Sequence, residues 1–396
     1  MSAGTDITSD ITSDVAVVGA GIIGLSTAHH LARQGFTVTI YESGRPGYGQ
    51  SAGQSRIFRH AHDDPRLVGL AVQAREQWRM WSEDAGTPLI SADGAVALGP
   101  AVPRRQQILQ QQGVAVETLD SAALCEVLPI LRDLDDTGFD GSAMLDVDGG
   151  SIDTRAAITW LADRFAEVTV GEQVIALHRT GDGVTIRTPT TAGTHGAVII
   201  CAGRGSAALA RGVGMSVPVQ LGAHVRVSFA VRDRGIGDGG IGGRGVGGGG
   251  TPENASRMPT LQDGSGMFGA TGVYAAVYPD RSGYGLGMAE SVDAHDDGAI
   301  DDGAGLADLA DAAARYVATA LPGLDPTPRD VVHCWVTGLP WGDDGMAIWR
   351  TGPIVVFAGH NLFKHAPVIG EKLADTIRTG RVPAVFAPEA RLGAAD

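Results

Sequence analysis

Two reactive side chains in the last sixth of the chain indicate where chemistry takes place. Cys334 follows a predicted strand, Asp330 to His333, and Lys364 lies thirty residues later, after an apolar run that ends at Gly359. A thiol can form a covalent bond to carbon, and an ammonium group can hold an anion. On position alone, Cys334 is equally well explained as a buried core thiol, because free cysteines are often packed in protein interiors.

The scarcity of lysine supports a special role for Lys364. The sequence contains two lysines, Lys364 and Lys372, but 28 arginines, so arginine serves wherever a generic surface cation is needed. Lysine differs from arginine in being a compact point charge whose pKa shifts readily on burial. An exposed position suits Lys372 in the last predicted helix better than it suits Lys364.

A glycine turn near the amino end predicts a dinucleotide site. Asp14 to Val18 is a short, largely apolar run typical of a buried parallel strand, and Gly19-Ala20-Gly21-Ile22-Ile23-Gly24 follows it directly. The first glycine permits a tight turn, the second lets a pyrophosphate approach backbone N–H groups, and the third allows the next helix to pack closely. A second strand ends at Glu42, whose carboxylate can accept hydrogen bonds from ribose hydroxyls. This order disfavours a purely structural turn, but it does not separate FAD from NAD.

The segment from Gly53 to His62 narrows the choice of cofactor. It reads GQSRIFRHAH and carries Arg56 and Arg59 three residues apart. Together with the glycine turn, Cys334 and the lysine motif, this run resembles the monomeric sarcosine oxidase and N-methyltryptophan oxidase family of the D-amino-acid oxidase superfamily. The resemblance extends over most of the chain.

The resemblance implies an α/β fold made of two discontinuous parts. The Rossmann-type FAD-binding domain comprises residues 12–90, 150–215 and 332–385, and the mostly antiparallel substrate-binding domain comprises residues 91–149 and 216–331. Residues 234–252 are glycine-rich and are expected to form a flexible surface loop, because ordering so many glycines costs backbone entropy. The active site is expected between the two parts.

The resemblance also implies that FAD is the cofactor and that Cys334 attaches it covalently through the 8α carbon of the flavin. It places Arg56 against the flavin ring. The cofactor contacts implied are Gly19, Ala20, Gly21, Ile22, Ile23, Gly24, Glu42, Ser43, Ser51, Ser55, Arg56, Ile57, Val174, Ala202, Gly203, Cys334, Gly359, His360, Asn361, Leu362, Phe363 and Lys364.

The catalytic residues implied by the resemblance are Arg59 and Lys364, which would hold the substrate carboxylate. A planar guanidinium recognises a carboxylate through two hydrogen bonds, and a second cation opposite completes the clamp. The alternative is that Arg59 merely pairs with Asp63 or Asp64.

Three positions depart from the family pattern. Gly285 aligns with a lysine that promotes the reaction of reduced flavin with oxygen, Ala289 with an active-site histidine, and Ala275 with a substrate-facing tyrosine. We therefore expect poor oxygen reactivity and a substrate larger than sarcosine. The aromatic residues expected to rebuild the substrate pocket are Tyr274, Tyr278 and Trp335.

Composition excludes several other classes of function. The net charge of −15 disfavours nucleic acid or an anionic membrane as the main partner, and no apolar run is long enough to span a membrane. Residues 1–13 lack the pattern of a secretion signal, so a cytoplasmic location is expected. The three cysteines and 11 histidines show no metal-ligand spacing, so no bound metal is expected. The protein is also expected to be a monomer.

The sequence thus predicts an FAD enzyme that oxidises the C–N bond of a secondary or cyclic amine, or of an N-alkyl amino acid, to an imine. The electrons then pass to O2 or another acceptor. A competing hypothesis is a flavin-linked dehydrogenase, or a tailoring oxidase of secondary metabolism, that acts on a substrate other than an amino acid. A third is a dinucleotide-binding regulator without turnover.

Overall fold

The protein is described by a computed structural model that covers residues 11–134, 139, 141–181, 183–232 and 257–394. The glycine-rich stretch 234–252 predicted to be a flexible loop lies outside the described residues. The described residues contain nineteen strands and eight α-helices, arranged mainly in two sheets.

The strands, in chain order, are β1 (Ile11–Val18), β2 (Val38–Tyr41), β3 (Ser55–Phe58), β4 (Ala95–Leu98), β5 (Val116–Leu119), β6 (Ala143–Asp146), β7 (Gly150–Asp153), β8 (Thr169–Val170), β9 (Ala176–Arg179), β10 (Val184–Arg187), β11 (Ala192–Ile200), β12 (Gln220–Ala230), β13 (Thr260–Asp263), β14 (Val273–Val277), β15 (Gly283–Met288), β16 (Val292–Asp293), β17 (Asp330–Gly338), β18 (Met346–Thr351) and β19 (Ile354–Gly359). The helices are α1 (Ile22–Arg33), α2 (Pro65–Ala85), α3 (Val102–Gln111), α4 (Ser121–Val127), α5 (Thr154–Asp163), α6 (Ser206–Gly212), α7 (Gly303–Ala320) and α8 (Ala366–Thr379).

The first sheet has eight strands and carries the predicted glycine turn. Its order is β18-β19-β11-β1-β2-β8, with the hairpin β9–β10 attached to β11, and the pairs of β1 with β2 and β11 and of β11 with β19 are parallel. The last four residues of β1 are buried on both faces, as expected for the central strand of a parallel sheet covered on both sides. The turn after β1 therefore leads directly into α1 at the carboxyl edge of this sheet.

The second sheet has nine strands and is mostly antiparallel. Its order is β16-β12-β15-β14-β13-β4-β6-β5, and β17 pairs with β12. On β12, Val225, Val227 and Phe229 pack into a core that also contains residues of α7. Because side chains alternate along a strand, His224 and Arg226 point to the opposite face of the sheet. That opposite face is turned toward the first sheet.

The mixed α/β fold predicted from the sequence is confirmed, but the position of Cys334 within it differs from the prediction. Cys334 does not follow a strand ending at His333, because β17 continues to Gly338. This strand pairs with β12 from Gln220 to Ser228, so by its hydrogen bonds Cys334 belongs to the nine-stranded sheet. The proposed domain boundary near residue 332 thus falls inside a strand.

The contact between β1 and α1 gives a test of this fold. A Cβ atom at Gly24 would collide with the carbonyl oxygen of Gly19, which is backbone and cannot rotate away. We expect Gly24→Ala to lower the free energy of unfolding by about 2 kcal/mol or more, because α1 must move off the sheet. In Gly303→Ala, where the added carbon meets open space, the change should stay within about 0.5 kcal/mol. Urea unfolding of both variants measures this, and equal stabilities would contradict the packing described.

Candidate active site

A large cavity lies between the two sheets and is lined by most of the predicted site residues. Its volume is about 1660 Å³, larger than the roughly 300–1,000 Å³ typical of a pocket for one small ligand. One end is lined by Glu42 and Val174, and the other end by Cys334 and Lys364. A cavity of this length and volume has room for a dinucleotide together with a small substrate.

Most residues predicted to contact the cofactor do line this cavity. They are Gly19, Gly21, Ile22, Ile23, Glu42, Ser43, Ser51, Arg56, Ile57, Val174, Ala202, Gly203, Cys334, Gly359, His360, Asn361, Leu362, Phe363 and Lys364. Ala20, Gly24 and Ser55 do not line it. Ala20 donates its backbone N–H to Glu42, and the Ser55 hydroxyl donates to the carbonyl of Ala276.

The glycine turn has the geometry of an anion site. Gly21 is the N-cap of α1, and the first residues of this helix line the cavity, so the positive end of the helix dipole faces into it. Ser51 Oγ accepts a hydrogen bond of 3.0 Å from the N–H of Ile22, which fixes the 49–53 loop over the helix start. Glu42 accepts from the N–H groups of Ala20 and Gly44, at 2.8 and 2.9 Å. A carboxylate has further lone pairs, so Glu42 can still accept from a ribose. These features fit FAD.

The loop after the glycine turn is tied to the strand that carries Cys334. Gln50 donates through Nε2 to the carbonyl of Trp335 at 2.9 Å and accepts from the Thr337 hydroxyl at 3.1 Å. The guanidinium of Arg56 donates to the carbonyls of Gln50, Ala52 and Ser55. Gln50 was not predicted from the sequence, and nothing in its local pattern marks it.

The floor of the cavity is the face of the nine-stranded sheet that bears His224 and Arg226, and aromatic side chains lie across this face. Tyr274 pairs with Gly287 on β15, and a Cβ atom at Gly287 would collide with the tyrosine ring. The Tyr274 hydroxyl lies 3.4 Å from both ring nitrogens of His224 on β12. Glycine on the intervening strand is therefore what allows Tyr274 to span from β14 to β12.

A second tyrosine crosses the same strand but lies outside the cavity lining. Tyr278 covers Gly285, and its hydroxyl hydrogen-bonds Ser228. A Cβ atom at Gly285 would lie 3.2 Å from the Tyr278 ring and 3.3 Å from Cδ of Arg226. At Gly285, Tyr278 and Arg226 from neighbouring strands therefore occupy the space beside the missing side chain, and a substrate larger than sarcosine stays a prediction. Tyr274 and Trp335 line the cavity, but Tyr278 does not, so a direct contact of Tyr278 with substrate is not supported.

Arg59 and Lys364 lie together at one wall of the cavity. The segment that bears Arg59 is anchored by His60, whose N–H and ring both bind Asp146 on β6. Lys364 lies in a short 3₁₀ turn, and its own backbone carbonyl accepts a hydrogen bond from the indole N–H of Trp78. Both cationic side chains are more than nine-tenths buried. Nη1 of Arg59 has no hydrogen-bond partner among the described residues.

The alternative that Arg59 pairs with Asp63 or Asp64 was wrong. Asp63 binds Arg105, and Asp64 binds Arg66. The partner of Arg59 is instead Asp344, at 3.4 Å in the turn between β17 and β18.

Asp344 was missed in the sequence, although two consecutive acids next to glycines between two strands could have marked it. His62 and Asn361 also bind this carboxylate, at 2.8 Å each. Burial alone would raise the pKa of Asp344, but His62, Lys364 and Arg59 hold it well below its usual value. Asp344 is therefore ionised.

Burial controls the charge of the remaining groups. It lowers the pKa of Lys364 to about 7, although Asp344 opposes the shift, and the Nζ group donates to the carbonyl of Asn361 at 2.8 Å. Burial, reinforced by Arg59, lowers the pKa of His62 to about 3, and burial lowers that of His224 to about 4. Both histidines are thus neutral at physiological pH. Burial raises the pKa of Tyr274, which stays protonated.

Cys334 and His224 are direct cross-strand partners, so their side chains lie on the same face of the sheet. Cys201 also lines the cavity, but burial raises the pKa of its thiol to about 12. Cys201 is therefore an unreactive thiol at physiological pH, as expected of a core cysteine.

Comparisons with known proteins show what this chain is similar to. Residues 14–376 match the family described as FAD dependent oxidoreductase. The chain is 27% identical to the monomeric sarcosine oxidase of Streptomyces avermitilis over 401 residues, covering 93% of this chain and 94% of that protein. It is 30% identical to the mouse peroxisomal sarcosine oxidase over 217 residues, so the alignment spans about half of each chain, 52% and 54%.

Among solved structures, the fold is similar to that of NikD, an unusual amino acid oxidase essential for nikkomycin biosynthesis, in its open form. The TM-score is 0.76 at 18% identity, covering 97% of this chain and 98% of that chain. At this level of identity the likeness concerns the fold alone. Within the described residues, no helix is both long and apolar enough to cross a membrane.

The buried histidine on the cavity floor predicts a measurable pH dependence of stability. The pKa of His224 is about 4 in the folded chain, against 6.5 for a free histidine. The unfolded chain therefore binds this proton first, and stability falls as the pH drops from 6.5 toward 4. His224→Gln should make this fall shallower by up to about 1.4 kcal/mol per pH unit.

Urea unfolding at several pH values measures the effect. The exposed His295 is a control of opposite sign, because its bond to Asp301 raises its pKa. In His295→Gln the stability that this pair adds at low pH should be lost. A pH dependence in His224→Gln equal to that of the unmodified protein would contradict a neutral, buried His224.

Proposed function

The chain belongs to the family of FAD dependent oxidoreductases, and we propose that it oxidises the C–N bond of a secondary or cyclic amine, or of an N-alkyl amino acid, to an imine. The observation that carries this proposal is the unpartnered Nη1 of the buried Arg59, beside Lys364, on the wall of the cavity that begins at the glycine turn. A buried guanidinium donor without a partner is costly and fits an anionic ligand.

Arg59 and Lys364 would hold the carboxylate of the substrate. Arg59 is fixed by Asp344, and Lys364 is fixed by the carbonyl of Asn361, so both cations are positioned before the substrate arrives. Such positioning reduces the entropy lost when the reacting carbon is brought into place. Bound FAD would supply the redox chemistry, accepting two electrons and a proton as a hydride equivalent.

The charges at the clamp favour an uncharged amine. Arg59 and Lys364 outnumber the single carboxylate of Asp344 there, while His224 is neutral and Tyr274 is protonated. A protonated amine would be repelled by the nearby cations. Loss of the amine proton leaves the nitrogen lone pair that the developing C=N bond requires.

Covalent attachment of the flavin through Cys334 is part of the proposal. The support is that Cys334 lines the cavity on the same sheet face as His224 and Arg226. Cytoplasmic location and a monomeric state stay predictions.

We expect Cys334→Ser to release the flavin on acid precipitation, leaving a colourless pellet and a yellow supernatant. The unmodified protein should keep its yellow colour in the pellet, because a thioether survives acid. Cys201→Ser is the matched control, since Cys201 lines the same cavity with a buried, unreactive thiol. A yellow pellet from Cys334→Ser would refute attachment at this residue.

We expect Arg59→Ala to slow anaerobic bleaching of the flavin absorbance by the best substrate of a panel of cyclic and N-alkyl amino acids. The second-order rate constant should fall roughly 100-fold or more, because a buried charge pair loses one partner. Arg79→Ala, at an exposed arginine of α2, serves as the control and should leave the rate unchanged. If Arg59→Ala bleaches as fast as the unmodified protein, the carboxylate clamp is wrong.

A flavin-linked dehydrogenase is a second candidate function. It is favoured by Gly285, because a glycine stands where the related family has the lysine that promotes the reaction of reduced flavin with oxygen. Both lysines of this chain, Lys364 and Lys372, lie far from this position in the sequence. Arg226 approaches the same place from β12 and is the cation that remains there. Whether O2 or another acceptor takes the electrons stays a prediction, as does poor oxygen reactivity.

A further inference from the structure

A fixed carboxylate already occupies part of the anion site. Asp344 lines the cavity and accepts hydrogen bonds or ion pairs from three side chains, at 3.4 Å from Arg59 and 2.8 Å from His62 and Asn361. These partners come from two separate segments of the chain. The carboxylate cannot swing away without leaving the buried donors of Arg59 and His62 unpaired.

The backbone also holds the carboxylate in place. Asn361 has a positive φ of 55°, a conformation that asparagine tolerates better than most residues, and this directs its amide to Asp344. Gly345, directly after Asp344, donates its N–H to the carbonyl of Gly342 and closes the turn. Asp344 is therefore a permanent component of the site rather than a mobile side chain.

The charge of the site follows from a count of the groups that face Asp344. Arg59 and protonated Lys364 contribute two positive charges, and Asp344 contributes one negative charge. The three nearby histidines, His62, His360 and His365, are kept neutral by burial, which lowers the pKa of each. More distant, Arg105 is neutralised by Asp63, and the Asp343 side chain is exposed. One positive charge therefore remains.

We propose that Asp344 is a built-in counter-ion that restricts this site to a single carboxylate, so that the enzyme accepts amines with one carboxylate and discriminates against those with a second one nearby. The inference rests on the proposed function, since it assumes that Arg59 and Lys364 bind the substrate carboxylate. The open Nη1 of Arg59 and the ammonium of Lys364 balance one incoming negative charge. A second carboxylate would meet Asp344 without a free cation.

Coulomb repulsion gives the expected size of this effect. The second carboxylate of a ligand would lie several ångströms from the carboxylate of Asp344. Repulsion between two like charges at that distance is large enough to weaken the binding of the ligand roughly tenfold or more. Asp344 thus acts as a specificity-determining residue. It also positions Arg59, so its loss changes both the charge and the geometry of the clamp.

The test compares two non-oxidisable ligands, propanoate and malonate, in which a methyl group is exchanged for a second carboxylate. Their binding to the flavin-loaded protein is followed by the shift in flavin absorbance at about pH 6.5, below the Lys364 pKa of about 7, so that most of the lysine is protonated. The unmodified protein should bind propanoate more tightly than malonate. In Asp344→Asn this preference should shrink or reverse, with the ratio of the two dissociation constants changing roughly tenfold or more.

Asp343→Asn is the matched control, because it removes the same charge from the adjacent residue. The Asp343 side chain is at the cavity but is exposed and screened by solvent, so the ratio should change far less than in Asp344→Asn. If Asp344→Asn fails to fold or to hold flavin, Asn361→Asp decides the matter. It places a second carboxylate against Asp344 and should weaken propanoate binding roughly tenfold or more.

The outcomes separate this inference from the proposed function. If propanoate binds through Arg59, but Asp344→Asn has the same preference as Asp343→Asn, the counter-ion role is overturned and the function stands. An unchanged propanoate affinity in Asn361→Asp would overturn it as well. If neither ligand alters the flavin absorbance in any variant, the carboxylate site itself fails.

Discussion

The buried ion group around Asp344 is the interaction on which the geometry of the site depends. Arg59 and His62 come from the segment after β3, whereas Asp344, Asn361 and Lys364 come from the last quarter of the described chain. A single charged residue would be too costly to bury here, so each one requires the others. The group thereby fixes two parts of the chain, 285 residues apart, at the same wall of the cavity.

At the same wall of the cavity, the backbone around Lys364 is held firmly while one hydrogen-bond donor of Arg59 has no partner among the described residues. Trp78 of α2 donates to the backbone of Lys364 and stacks on Phe363, with ring centroids 6.2 Å apart. The charged groups are held by backbone and aromatic contacts, and one guanidinium nitrogen is left for a ligand.

Much of this arrangement could be predicted from local sequence, because it depends on short patterns with a physical meaning. The glycine turn and Glu42 are recognisable from residue type and spacing, Arg59 and Lys364 are implied by the family resemblance, and all of them line one cavity. Asp344 and Gln50 could not be found in this way, since their roles arise from pairing across the fold. The packing of Tyr278 and Arg226 over Gly285 could not be predicted for the same reason, because both residues come from neighbouring strands.

The crossing of Tyr274 above Gly287 links the volumes at two positions thirteen residues apart. Bulk added at the glycine would collide with the tyrosine ring, so Gly287 accepts a larger residue only where Tyr274 becomes smaller. A floor whose bulk is moved from β14 to β15 therefore requires two linked substitutions.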